Sequence, residues 1–396
     1  MAEAILALNA GSSSLKFGLF RRPAGQECPR ALVMGTVQSA DGIAPHLRVS
    51  APDGTILIDE HLSQGEGRSS IGRLIDWVEA HLGDTPLAAV GHRIVHGGPE
   101  FSHPVKIDDS ILARLDALTP LAPLHQPISL APVRHIRGMR PGLPQIACFD
   151  TAFHRTIGPP ASRYALPTFL EAEGIRRYGF HGLSYESIAA QLEAGKDHAA
   201  TRPASRIIVA HLGSGASLCA MRGLKSVDTT MGFSTLDGLV MGTRPGTLDP
   251  GILLYLLQQK GFDPARLQQL LYRESGLLGV SGISADVATL LASVAPAAAE
   301  ALDLFAFQVA RQTAALAATL GGIERVIFTG GIGEHAPAVR RMIVDRLKWL
   351  GAELDEQANA SGATTISTGR SSIVLERRET QEELMIARHA ISCHHG

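Results

Sequence analysis

The chain has 396 residues, 45% hydrophobic and 19% charged, with a formal net charge of −2. That length and apolar fraction fit a globular protein of two domains or more, and the near-neutral balance excludes a basic field for nucleic acid. The four cysteines, Cys28, Cys148, Cys219 and Cys393, form no C-x-x-C pair, which argues for a reducing compartment and against a disulfide framework or zinc knuckle.

The first element is "LALNAGSSSLKFGLF", residues 6–20, which reads as strand, Gly/Ser turn, strand. It lacks the Gly-Lys-Ser/Thr ending of a phosphate-binding P-loop, and a strand rather than a helix follows. A hairpin tip can nevertheless aim several backbone N–H groups at one anion. The apolar run before Asn9 is short and preceded by Glu3, too little for a signal peptide. "GHRIVHGG", 91–98, places Arg93 at a strand end, where a guanidinium clamps carboxylate or phosphate or makes a structural ion pair. His92 and His96 have the spacing of a helical zinc pair, but no glutamate follows His92 and the neighbours favour a strand.

A helix is expected over 107–117. "CFDTAFH", 148–154, then puts Asp150 just past an apolar pair, at a strand end of the kind where α/β ligands collect. "YGFHG" sets His181 between Phe180 and a glycine, ahead of a helix over 182–194. Residues 206–220, "RIIVAHLGSGASLCA", repeat the opening pattern about half a chain later, with His211 in the place of Asn9. One such hairpin reads as ordinary surface; two in matching positions suggest a polyphosphate gripped from two sides. "MGTRPG", 241–246, presents Arg244 in a Gly/Pro loop. A further helical run is expected over 251–271. The apolar stretch 294–321, broken by Glu300, Asp303, Gln308 and Arg311, reads as a buried helix and not a membrane span. "VIFTGGIGEHAP", 326–337, is a strand whose glycines open a helix, followed by a helix-like stretch to Leu350. "TQEEL", 380–384, opens a last helix with paired acids that either cap it or hold Mg²⁺. Strands alternating with helices give an α/β architecture. The set of phosphate loops, arginines, a histidine and carboxylates is that of phosphoryl transfer.

These motifs, with "LAPLH", "SVDTTMGF", "SGLLGVSG" and "EELMIAR" in the same order, resemble the acetate kinase family of the actin-like superfamily across nearly the whole chain. The resemblance implies two actin-like (ribonuclease H-like) domains from an internal duplication with a cleft between them: residues 1–152 plus about 383–396, and 153–382. It implies reversible Mg²⁺-dependent phosphoryl transfer from ATP to acetate, with Mn²⁺ as an alternative metal, in a cytoplasmic homodimer without nucleic-acid or membrane partners. Asp150, His181 and Arg244 match catalytic positions. Arg93 matches the carboxylate site, and Val95, Leu124 and Phe180 the pocket for the acyl methyl. Asn9 and Glu382 match the metal site, Ser12 and Ser14 the phosphate loop. Lys16, His211, Leu212, Gly213, Ser214, Gly215, Asp286, Val287, Ala288, Gly331, Ile332, Gly333, Glu334 and His335 match nucleotide-binding positions. Departures are Ser214 and Gln126 for asparagine, His335 for asparagine, Thr235 for a proline of the methyl pocket, and Ala288 for an arginine of the nucleotide pocket. Alternative readings are a propionate or other short-chain acyl kinase, and an actin-like nucleotide-binding protein with weakened catalysis. A histidine-based metallohydrolase would need a third ligand near His92 and His96, and the sequence offers none.

Overall fold

The computed structural model describes residues 3–11, 14–22, 28–40, 43–61 and 70–395. The chain forms two compact units, Met1–Ala152 with Gln381–Gly396, and Phe153–Thr380. The return to the first unit comes at Gln381, where the expectation is about 383, and Glu382 lies in the first unit. The reason is local: the helix Glu382–His395 packs on the first unit's sheet from its first residue, with Glu382 bonded to Asn9.

The strands of the first unit are β1 (Glu3–Ala10), β2 (Ser14–Arg22), β3 (Arg30–Ala40), β4 (Ile43–Ser50), β5 (Ile56–His61), β6 (Leu87–Ile94), β7 (Val105–Lys106) and β8 (Gln145–Phe149). They form one sheet in the order β5-β4-β3-β2-β1-β6-β8-β7. β1 is buried along nearly its whole length, as a central strand covered on both faces must be. On one face Leu6, Leu8, Phe17 and Leu19 pack with Leu74, Ile75 and Val78 of the helix Ser70–Leu82. The other face receives the helix Glu382–His395, so closely that a Cβ on Gly91 would come within 2.6 Å of Ile386. β5, at the sheet edge, is mostly exposed and carries Asp59, Glu60 and His61, charges that discourage edge pairing.

The second unit's strands are β9 (Arg206–Leu212), β10 (Ala216–Arg222), β11 (Lys225–Thr229), β12 (Arg325–Thr329) and β13 (Val374–Arg377), in the order β11-β10-β9-β12-β13. This repeats β3-β2-β1-β6-β8: an antiparallel three-strand meander, then two parallel additions. The internal repeat read from two hairpins therefore extends to five strands.

The apolar stretch at 294–321 is a helix, Pro296–Leu320, begun by proline and ended by Gly321 in the left-handed conformation. Its buried positions, among them Leu302, Phe305, Val309, Thr313, Leu316 and Leu320, recur at helical spacing. The run 251–271 is not one helix. It splits into Pro250–Gln259 and Pro264–Gln269, because Gly261 takes φ +70 and Asp263 caps a new start at Pro264. The stretch after Ala336 is α-helical only over Pro337–Asp345. Among the described residues, no helix is long and apolar enough to cross a membrane.

Candidate active site

In the first unit the candidate residues gather at the ends of β1, β6 and β8. Asn9 ends the apolar run of β1 and its Nδ2 donates to Glu382 Oε2 at 2.7 Å and Glu383 Oε1 at 3.1 Å. Burial pushes the Glu383 carboxyl up, and the neighbouring Glu382 charge adds to the shift. Two carboxylates held this close repel each other, and a cation between them would relieve the repulsion. Lys16 faces Asn9 across the β1–β2 pair and lines, with Thr36, Arg48 and Glu383, a groove of about 220 Å³. Gly11 N–H donates to the Ser14 carbonyl at 2.8 Å and so tightens the hairpin tip. Ser12, assigned to the phosphate loop by resemblance, lies outside the described residues.

Arg93 donates from Nε at 2.8 Å and from Nη2 at 2.5 Å to the same oxygen, Oδ2, of Asp150. Its Nη1 makes a 3.5 Å contact with the Ala10 carbonyl. Asp150 is 1% exposed, and burial pushes its carboxyl up while Arg93 pulls against the shift. Burial works against the Arg93 charge, but the Asp150 carboxylate more than offsets it and holds the guanidinium protonated. The result is an ion pair of a buried carboxylate and a half-buried guanidinium, whose Nη1 faces the Ala10 end of β1. Val95 is buried just past β6, and Leu124 is half-buried in the turn before the helix Gln126–Met139. His92 is buried on β6 and His96 just past it. Burial pushes both imidazoles down to about 4, so each is neutral at physiological pH.

In the second unit the hairpin tip between β9 and β10 is the centre. His181 adopts the left-handed conformation, φ 58, immediately before the helix Gly182–Ala194. A non-glycine residue there is uncommon and marks a place where side-chain direction matters. Its Nδ1 shares a 2.8 Å hydrogen bond with Ser217 Oγ, which also meets the Tyr185 hydroxyl. The ring stacks on His211 at 4.2 Å, and His211 Nδ1 bonds Ser184 Oγ at 2.8 Å. Arg244 Nη1 donates to the Thr235 carbonyl at 2.8 Å. A Cβ on Gly215 would come within 2.8 Å of Arg244 Nη2 and 3.2 Å of His181 Nε2, so both side chains lie against the tip. The Gly242 N–H to Ser214 carbonyl bond, 3.1 Å, fastens the arginine loop to the hairpin. Phe180 is buried in this unit, its carbonyl bonded to His154 Nε2.

The remaining nucleotide-site candidates are less uniform. The Asp286 carboxylate caps the helix Val287–Ala292, accepting from Thr289 N and Thr289 Oγ1, and these bonds lower its pKa. Val287 is buried and Ala288 exposed. Gly330 turns left-handed after β12 and opens the six-residue helix Gly330–His335, which contains Gly331, Ile332 and Gly333. Glu334 Oε1 accepts from Gly330 N, Thr329 Oγ1 and Thr380 N, so this carboxylate closes the glycine turn. His335 is exposed. Leu212 is buried, and Gly213 N–H donates to the Gly215 carbonyl across the tip.

Sequence reasoning missed the residues that aim the others. Ser217 and Ser184 orient two histidines, and Thr151 Oγ1 accepts from Gly97 N at 3.1 Å. A signal existed for Ser217, which stands opposite His211 as Lys16 stands opposite Asn9.

The acetokinase family profile matches residues 4–388. The chain belongs to the acetokinase family. It is 48% identical to an acetate kinase of Rhodopseudomonas palustris over 98% of both chains. Among solved structures, a propionate kinase from Francisella tularensis superposes with TM-score 0.88 at 36% identity, covering 98% of this chain and 99% of that one. The acetate kinase of Porphyromonas gingivalis superposes with TM-score 0.82 at 32% identity over 99% of both. The fold of this chain is the two-domain actin-like α/β fold of these kinases.

Proposed function

We propose that this chain is an ATP:acetate phosphotransferase, forming acetyl phosphate and ADP reversibly by direct in-line transfer. The observation that carries the reading is the pairing of Arg93 with the buried Asp150 beside the Asn9–Glu382–Glu383 cluster, in a chain of the acetokinase family. In this reading Arg93 takes the acetate carboxylate and turns one oxygen towards the γ-phosphorus, while Asp150 fixes the guanidinium. The bond from that oxygen to phosphorus forms as the bond to the ADP oxygen breaks. Charge spreads over the equatorial phosphoryl oxygens and is stabilised by Arg244 and His181, both aimed in advance by backbone and serine partners.

Mg²⁺ characteristically takes one or two carboxylates plus substrate phosphates. Glu382 and Glu383 at Asn9 fit that demand. Among the described residues, no group of three or more His, Cys, Asp or Glu side chains forms a full protein cage. Bound there with ATP, Mg²⁺ would neutralise phosphate charge. Glu382→Gln is expected to raise the Mg²⁺ concentration needed for half-maximal activity. An unchanged Mg²⁺ dependence would remove Glu382 from the metal site.

Propionate is the second reading, favoured by Thr235, a buried hydroxyl residue whose backbone holds Arg244. One methylene in an apolar pocket discriminates by only about 1–3 kcal/mol. A coupled assay with acetate, propionate and butyrate, each against ATP and GTP, tests both: acetate with ATP should give the highest kcat/KM. We also propose a homodimer, because the second unit exposes Ile252, Tyr255, Val280, Ile283, Leu291 and Phe307. Light scattering at a monomer mass would reject it. The ATP requirement supports a cytoplasmic location.

A further inference from the structure

The polypeptide just past Arg93 is held at several points. The Ile94 carbonyl accepts from Asp150 N at 3.1 Å, and Gly97 N donates to Thr151 Oγ1. Gly98 N donates to His96 Nδ1 at 2.8 Å. The turn is tight: a Cβ on Gly97 would come within 2.5 Å of the Phe101 carbonyl, and Gly98 takes φ +59. Between these points one side chain grips the backbone of a single residue from both sides. Gln126 Oε1 accepts from His96 N at 3.2 Å, and its Nε2 donates to the His96 carbonyl at 3.2 Å and to the Leu115 carbonyl at 3.2 Å. Gln126 is 0% exposed and opens the helix Gln126–Met139.

We propose that Gln126 is a positioning residue for the acyl-binding end of β6. Its carboxamide fixes residue 96, and through it the course of the chain that presents Arg93 and Val95, while tying that chain to the helix Asp109–Ala117 through Leu115. The inference rests on the reading that Arg93 and Val95 take the acyl substrate. An amide is required chemically. The group must accept one N–H and donate to two carbonyls at once, which a neutral carboxamide does and an ionised carboxylate does not. A buried, fully satisfied clasp of this kind is costly to break, because the His96 N–H and carbonyl lose this partner together and the Leu115 carbonyl keeps only the Leu118 N–H. The reacting oxygen sits at the end of this support, where a displacement of about 1 Å costs on the order of a hundredfold in rate.

The test is steady-state kinetics of Gln126→Ala and Gln126→Glu beside Arg93→Ala, with thermal unfolding of each. Gln126→Ala should raise the acetate KM on the order of ten- to a hundredfold and leave the ATP KM within about twofold. Gln126→Glu is nearly isosteric. Its ionised carboxylate would face the His96 and Leu115 carbonyls, whereas its protonated form can donate to one of them. Its kcat/KM for acetate, relative to wild type, should therefore rise as pH is lowered from 8 to 6. The titratable group facing it, His96, is held neutral by burial with its pKa pushed down to about 4, and does not itself titrate in that range. A purely structural role predicts a lower melting temperature with both KM values unchanged or raised together, and a flat pH ratio. Either result overturns the proposal. If Gln126→Ala does not fold, the pH ratio of Gln126→Glu decides alone. An unchanged acetate KM in Arg93→Ala sinks the acyl-site reading itself. A raised one there, with no change in Gln126→Ala, sinks only this inference.

Discussion

The β1–β2 and β9–β10 hairpins occupy the same place in the same five-strand order, yet their tips carry different chemistry. Asn9 opposite Lys16 in the first becomes His211 opposite Ser217 in the second. The first unit surrounds its tip with two glutamates and an arginine paired to a buried aspartate. The second surrounds its tip with stacked histidines, Arg244 and glycines that leave room for them. The scaffold fixes where a hairpin tip and strand ends converge, and the side chains placed there divide the labour. A carboxylate substrate and a metal suit the first set; developing negative charge on phosphorus suits the second.

Arg244→Ala tests that division most severely. Removing a cation that acts mainly on the transition state should lower kcat on the order of a thousandfold, with little change in either KM. A loss confined to ATP KM would make the second tip a ground-state binding site and erase the contrast. Gly215→Ala sharpens the same point without removing the arginine. Its new Cβ would lie only 2.8 Å from Arg244 Nη2 and displace it, so kcat should fall by roughly ten- to a hundredfold. Full activity in that variant would show that the arginine is not held against the tip.

A third prediction compares the units by stability. His92 and His96 in the first and His154 in the second each have a pKa lowered by burial to about 4. Below the unfolded value of about 6.5, the unfolded chain binds protons that the folded chain refuses. Stability is therefore lost as pH falls from about 6.5 towards 4. Each histidine contributes a slope of up to about 1.4 kcal/mol per pH unit. His92→Leu should flatten the fall in melting temperature over that range. An unaltered slope would show that His92 is protonated in the folded state.

The smallest effect expected is at Ala288. It is exposed at the start of a helix whose cap, Asp286, is already committed. Ala288→Arg should tighten nucleotide binding by roughly two- to thirtyfold, the range of a cation–π contact of about 0.5–2 kcal/mol. Calorimetric titration with ATP and GTP checks this, and equal or weaker binding refutes it.

Much of the framework was legible because its signals are local. Apolar runs on either side of Gly/Ser turns marked both hairpins, one long apolar stretch marked the helix Pro296–Leu320, and Arg93 and Asp150 were read at strand ends where the structure has them. The break at Gly261 was missed because apolar residues continue on both sides of it. The side chains that orient the site were hidden for a different reason. Ser217 reaches His181 across 36 positions of chain, and Gln126 reaches His96 across 30. No periodicity encodes such pairs; only the closed sheet brings them together. Asp286 shows the converse, a carboxylate assigned to nucleotide binding whose visible work is to cap a helix.

The central claim is that the first unit's strand ends hold the acyl substrate and the second unit's tip serves the transferring phosphoryl group. Its most direct test is the kinetics of Arg93→Ala with acetate and ATP varied independently. The account predicts an acetate KM raised on the order of a hundredfold, a lowered kcat, and an ATP KM within about twofold of wild type. An unchanged acetate KM, or equal rises for both substrates, would contradict it.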